Sequence, residues 1–287
     1  MSRAAAAPLA GLVFNAFVWG VSWWPLRWLH GHGLHPLWST ALVYLVGVGL
    51  ITLARPSGWA ELRRAPALWG LMLAAGSTNA AFNWGVTIGD VVRVVLLFYL
   101  MPLWAVLLAR LLLGERLSVA AALRIALALA GAALVLQPAG GGWPLPRSLP
   151  DLLGLAGGFT FALNNVLLRR EARQPEAARA LAMFVGGALV ATTLALGAPG
   201  LVPPLPPPAP AWIAGTVGLA LLFLAGNFAL QYGAARLAAN VTAMVMVSEV
   251  LFASVSAVAL GAGRLSAALV AGGVLIVAAA LLAVLGR

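Results

Sequence analysis

The chain has 287 residues, of which 63% are hydrophobic and 8% charged, with a mean hydropathy of +1.01 and a formal net charge of +10. So apolar a composition excludes an ordinary soluble domain, which needs a far more charged surface. Cysteine is absent, which excludes disulfides, iron–sulfur clusters and thiolate metal sites, and the arginines are scattered between apolar runs, which excludes a nucleic-acid-binding face.

Apolar runs of about 20 residues, enough to cross a hydrocarbon core of roughly 30 Å, recur along the chain. They predict ten transmembrane helices over residues 8–27, 36–54, 66–88, 92–113, 118–136, 151–168, 178–198, 211–234, 240–262 and 266–285. Lipid demands internal backbone hydrogen bonding, and the runs lack the alternation of barrel strands, so the fold class is all-α and polytopic. In the first helix Asn15, Trp19 and Trp23 share a face, offering flat apolar walls and one amide to a ligand or packing against a neighbour. No small-residue cleavage site follows it, so it reads as a mature helix. His30, His32 and His35, the chain's three histidines, crowd the next loop; a solvated loop is expected there rather than a metal site.

Asn79 and Asn83 lie four apart on helix 3, as do Asn227 and Gln231 on helix 8. Each pair forms a polar stripe that lines a cavity or holds helices together by interhelical hydrogen bonds. Helix 4 brings Tyr99, Met101 and Pro102 together, and proline removes a backbone donor, which predicts a kink and a candidate hinge at Pro102. Arg93 and Arg124 read as snorkelling anchors, with Asp90 pairing with Arg93. In helix 6, Asn164 and Asn165 are adjacent, so one of the two is expected to face a cavity. Ser248 and Glu249 follow in helix 9. Glu249 lies nine residues past Asn240, about 13 Å into the core at roughly 1.5 Å per residue, where a carboxyl group is costly. It would bind a substrate ammonium, exchange a proton, or make a structural ion pair or hydrogen bond.

With ten helices both termini share a side. Loops on that side carry Arg55, Arg63, Arg64, Arg110, Arg116, Arg169, Arg170, Arg173, Arg179 and Arg236, while the other has Arg27, Arg93, Arg147 and Arg264. Cationic loops resist translocation, so both termini are expected in the cytoplasm. Sliding the sequence by 148 positions aligns Asn79 with Asn227, Asn83 with Gln231, and Arg116-Leu117-Ser118 with Arg264-Leu265-Ser266. Each half holds five helices, an odd number, so the second copy is expected to be inverted, with a substrate site at mid-depth between the halves. The domains are then residues 1–137, a periplasmic linker over 138–150, and residues 151–287.

Trp19-Gly20, Leu100-Met101-Pro102, LLLGERLS at 111–118, Ala130-Gly131 and Ser248-Glu249, in this order and spacing, resemble the EamA-type members of the drug/metabolite transporter superfamily. Gly263, opposite Glu115, and Val250, where proline often follows the glutamate, depart from the pattern, so helix 9 is expected to be straighter than helix 4. The tryptophan-rich first helix looks most like the amino-acid exporter branch. The resemblance implies a secondary transporter in a bacterial inner membrane, exporting amino acids, aromatic ones included, or similar amphipathic metabolites by alternating access. It implies no cofactor, no enzymatic activity, and a lipid bilayer, a small-molecule substrate and coupling protons as partners. The expected substrate-binding set is Asn15, Trp19, Trp23, Asn79, Asn83, Tyr99, Met101, Asn164, Asn227, Gln231, Ser248 and Glu249. Polyspecific drug efflux and an organic phosphate or nucleotide-sugar carrier are the alternatives, the latter disfavoured because no span has a central arginine. An intramembrane enzyme would need a nucleophile with a base, a carboxylate pair or a metal cluster, and no glycine loop of the ATP-binding type occurs.

Overall fold

The computed structural model describes residues 3–114, 119–137, 143, 145–171, 173–234, 236 and 245–285. These form thirteen helices and no strand: α1 (Arg3–Val21), α2 (Trp23–Gly31), α3 (Pro36–Ala54), α4 (Gly58–Arg64), α5 (Leu68–Ile88), α6 (Val91–Phe98), α7 (Met101–Leu113), α8 (Val119–Leu136), α9 (Leu149–Arg170), α10 (Glu176–Gly197), α11 (Pro210–Ala234), α12 (Ser248–Ala259) and α13 (Ala267–Leu285). Six stretches are long and apolar enough to cross a bilayer: Ala6–Gly31, Pro36–Ala54, Val91–Leu112, Leu149–Leu168, Glu176–Gly197 and Pro210–Leu230. Helix α5 has 21 residues but is not among them, because Ser77, Thr78, Asn79, Asn83 and Thr87 dilute its hydropathy. The short helix α4, with Glu61 in its first turn and Arg63 and Arg64 in its last, is an element the apolar pattern did not predict, and those charges suit its dipole.

Two predicted spans are each divided into two helices. The first breaks at Ser22, whose N–H and hydroxyl both donate to the Trp19 carbonyl, at 3.2 and 2.8 Å. Pro25, just beyond, has no N–H to continue the ladder. The fourth breaks at Tyr99 and Leu100, where Leu100 N–H turns back to Leu97 O and Leu103 N–H to Leu100 O. Pro102 supplies no N–H for the Phe98 carbonyl, and the backbone of Gly158 packs against that oxygen. In predicted helix 9, whose residues 240–244 lie outside the described ones, a turn at Val247, 148 positions after Tyr99, precedes α12, with Val250 N–H bonded back to Val247 O. No proline is involved. The Ser248 hydroxyl donates to Val245 O at 2.6 Å, competing with the backbone ladder.

Helices of the first half pack largely on helices of the second. Helices α3 and α10 meet through an exchange: a Cβ on Gly187 would enter the Tyr44 ring, and one on Gly47 the Phe184 ring. Tyr44 opposes Gly187 while Gly47 opposes Phe184, so the two helices cross antiparallel. Tyr44 and Phe184 stand 140 positions apart, as do Gly47 and Gly187. Helices α8 and α13 repeat the device, since Gly131 abuts Gly272 O and Ile276, and Gly272 abuts Gly131 O and Val135. That order is again antiparallel, and only residues without a side chain let the backbones approach so closely. Between α6 and the segment around α12, Tyr99 meets Glu249 while Val92 meets Gly263. Gly85 on α5 lies against Pro150 O, and Gly233 on α11, 148 positions later, lies against Pro8 O, 142 positions before Pro150.

One end of the bundle is closed by α6, whose residues Val91, Val92 and Val94 to Phe98 are all buried, and by a polar collar around it. Arg93 makes a bidentate pair with Asp151 (Nε–Oδ1 2.6 Å, Nη2–Oδ2 3.0 Å) and donates to Val135 O at 2.6 Å. Asp90 accepts from the backbone N–H of Arg93 at 2.9 Å, capping α6, and from that of Arg264 at 3.1 Å. Arg27 donates to Val86 O at 3.1 Å and to Gly89 O. Arg93 is therefore more than a snorkelling anchor. Its charge is matched by Asp151 on the other half, and Asp90 serves the backbone instead of the guanidinium.

Candidate functional site

A cavity of about 380 Å³ lies where the broken helices face each other. Its volume suits a small organic molecule. Nine helices and the turns beside them contribute, and the lining falls into pairs from the two halves. Trp19 and Phe161 stand 142 positions apart, and Tyr44 and Phe184 140 apart. Ala75 and Phe223, Asn79 and Asn227, Phe82 and Leu230, Phe98 and Met246, Tyr99 and Val247, and Met101 and Glu249 each stand 148 apart. The cavity thus lies on the locus where corresponding residues converge.

Its walls are mostly apolar, with eight aromatic residues among them. Trp19 stacks on Phe223 with centroids 4.6 Å apart and meets Phe82 edge-on at 6.4 Å; Phe82 meets Phe98 at 4.8 Å, and Phe98 meets Phe161 at 5.3 Å. Each such pair adds roughly 0.5–1.5 kcal/mol beyond the area it buries, which stiffens the wall. Polar atoms are few. Asn79 accepts from the Tyr44 hydroxyl and donates to Ala75 O at 2.8 Å, so both ends of its amide are engaged. The Tyr99 hydroxyl lies 3.2 Å from Glu249 Oε2 and 3.2 Å from Met246 O. Glu249 is held beside α1, where Gly20 permits close approach to its carbonyl. Asn15 Nδ2 lies 3.5 Å from Met246 Sδ, while the Oδ1 atoms of Asn15 and Asn164 are buried without a partner among the described residues.

Of the residues singled out in the sequence, Asn15, Trp19, Asn79, Tyr99, Met101, Asn164, Asn227 and Glu249 border this cavity. Trp23, Asn83 and Ser248 do not. Trp23 lies beyond the Ser22 break, which interrupts the helical face it would share with Trp19; its indole N–H donates to Ser256 Oγ at 3.0 Å and Arg27 lies over its ring. Asn83 Nδ2 donates to Thr40 Oγ1 at 3.1 Å, tying α5 to α3. The Ser248 hydroxyl is occupied by the Val245 carbonyl. The side chains of Gln231 and Pro102 lie outside the described residues. Asn165 lines the cavity together with Asn164, against the expectation that one would: neighbours on a helix diverge by about 100°, and a wide cavity spans that angle. Tyr44, Phe82, Phe98, Phe161, Phe184 and Phe223 were missed. Only Phe161 is the counterpart of a residue singled out in the sequence, Trp19, and at a spacing of 142 instead of 148.

His30 and His35 meet edge-on at 6.2 Å between ring centroids, while His32 packs against Trp28. His30 and His32 are exposed, whereas His35 is buried and caps α3, its Nδ1 accepting from Leu37 N–H at 3.2 Å. Burial and the neighbouring His30 hold the His35 pKa down at about 4. Among the described residues no three His, Cys, Asp or Glu converge.

Residues 7–137 match the model of the EamA-like transporter family. No curated protein matches the chain. A solved structure described as "Crystal structure of protein" superposes with a TM-score of 0.61 at 22% identity, covering 98% of this chain and 96% of that one. The fold is therefore shared over essentially the full length.

Proposed function

We propose, on the premise that an EamA-like transporter domain over residues 7–137 marks a multi-pass membrane carrier of small molecules, that this protein exports small amphipathic metabolites, amino acids among them, by alternating access. The carrying observation is the cavity whose wall is assembled pairwise from two halves that cross antiparallel. Such a wall supports reading the chain as two inverted five-helix repeats of ten spans in all, with domains over 1–137 and 151–287 joined through 138–150. One arrangement of an inverted pair implies a mirror arrangement opening to the other side. The arginine-rich loops support cytoplasmic termini in an inner membrane. Glu249, bordering the cavity, is the group that would meet a substrate ammonium or exchange protons as the coupling ion. Pro102 and the interrupted helix beside it supply a hinge.

The mostly apolar, aromatic-rich wall also favours a second reading, polyspecific efflux of apolar drugs. Organic phosphates are disfavoured, since the described lining holds no Arg, Lys or His. Uptake of a radiolabelled amino-acid panel into proteoliposomes, with and without a pH gradient, separates these. Movement of amino acids with loss of pH sensitivity in Glu249→Gln supports the proposal. Transport of hydrophobic drugs but of no amino acid or related solute removes it.

A further inference from the structure

Helix breaks at residues 99–100 and 247 place one carboxylate, Glu249, against an otherwise apolar chamber. The hydrogen-bonding capacity left unused around it has a direction. Tyr99, the nearest hydroxyl, is already engaged with Glu249 and the Met246 carbonyl. Asn79 is engaged at both ends by Tyr44 and Ala75. The lining atoms that are shut off from solvent and have no partner among the described residues are both acceptors, the Oδ1 atoms of Asn15 and Asn164, residues 0% and 3% exposed. A buried acceptor without a donor is costly, and a ligand that brings donors removes that cost. An alkylammonium brings three donors, no acceptor and a positive charge for Glu249. A carboxylate brings acceptors alone, and no cationic side chain borders the described cavity to receive it.

The rest of the wall fixes the other end of the ligand. Phe223, Trp19, Phe82 and Phe98 form an unbroken run of ring contacts that reaches Tyr99, at a Phe98–Tyr99 centroid separation of 6.1 Å. Ring faces attract a cation at one edge and stack an aryl group along their length.

We infer that the cavity recognises an arylalkyl ammonium through Glu249 and the Asn15 and Asn164 carbonyl oxygens, and that a free carboxylate on the same molecule weakens binding. This deepens the carrier reading and rests on it only for the statement that the bound molecule is transported. Among amino-acid-like solutes, the decarboxylated amine is the preferred ligand.

The test is equilibrium binding to the intact protein in lipid nanodiscs, using radiolabelled 2-phenylethylamine, phenylalanine and 3-phenylpropionate, which share a ring and differ in charge. The amine binds tightest, phenylalanine at least about tenfold more weakly, and 3-phenylpropionate without saturation. Glu249→Gln lowers amine affinity by more than about tenfold, and Asn164→Leu lowers it by a smaller factor. The order of the three probes on the unaltered protein decides the matter even if a variant fails to fold. Phenylalanine or 3-phenylpropionate binding as tightly as the amine overturns the inference, as does full amine affinity in a folded Glu249→Gln. Saturable amine binding with no flux in liposomes would instead overturn the carrier reading and leave this one standing. Amino-acid flux without preference for the amine would do the reverse.

Discussion

The imidazole of His35 caps α3 by accepting an N–H, a role available only while Nδ1 is unprotonated. Its pKa is about 4 in the folded chain against 6.5 when free, so the unfolded state binds the proton more readily. The contribution of this cap is complete above pH 6.5 and is lost as the pH falls from 6.5 through about 4. His35→Asn keeps a capping acceptor that does not titrate. Thermal unfolding of the variant should therefore show a flatter acid limb between those pH values than the parent, and an unchanged limb would refute this. The Arg93–Asp151 pair carries a different expectation, because the Asp151 side chain is 3% exposed. Removing the arginine strands a buried carboxylate, so Arg93→Gln should destabilise by about 3 kcal/mol, and the double variant Arg93→Met/Asp151→Leu should recover most of it. Chemical denaturation of the two variants measures both. Asp151 had no visible partner in the sequence, since the contact joins residues 58 apart and periodicity reports only neighbours on one helix.

Elements in this fold are positioned by glycines that admit another helix. Gly131 and Gly272 sit against each other's carbonyls, whereas nothing lies within 4 Å of a Cβ added at Gly218 on α11. Gly131→Ala should cost about 1–3 kcal/mol through forced backbone movement. Gly218→Ala should be neutral or stabilising by up to about 1 kcal/mol, by helix propensity. Unfolding midpoints of the two variants compare them directly, and equal effects would show that the close approach is immaterial. The extent of the helices was legible because apolar length reads out directly in hydropathy. Their interruptions were less so. Pro102 announced a break two to three residues before itself, and Pro25 stands at the same distance after Ser22, whereas Val247 carries no such sign; Ser22 and Ser248 bond back to carbonyls, a choice the surrounding packing decides. The same limit explains the site. Asn15, Asn79 and Glu249 were legible as polar residues at depth, whereas Phe82 and Phe223 are aromatic residues in apolar helices and nothing local separates wall from core.

At the scale of the molecule, the pairing of lining residues at spacings of 140, 142 and 148 positions means that the two halves build one chamber from equivalent parts. Several pairs differ in chemistry: Glu249 stands opposite Met101 in the alignment, Tyr99 opposite Val247, Tyr44 opposite Phe184 and Phe223 opposite Ala75. Because the chain has no cysteine, a single introduced thiol reports accessibility without background.

Leu230 borders the chamber opposite Phe82 and has no polar role there. Reaction of Leu230→Cys with a membrane-impermeant thiol reagent, in liposomes of known protein orientation, tests alternating access most directly. The account predicts labelling from either face, one at a time, with 2-phenylethylamine slowing both. Labelling confined to one face with and without the amine would contradict it.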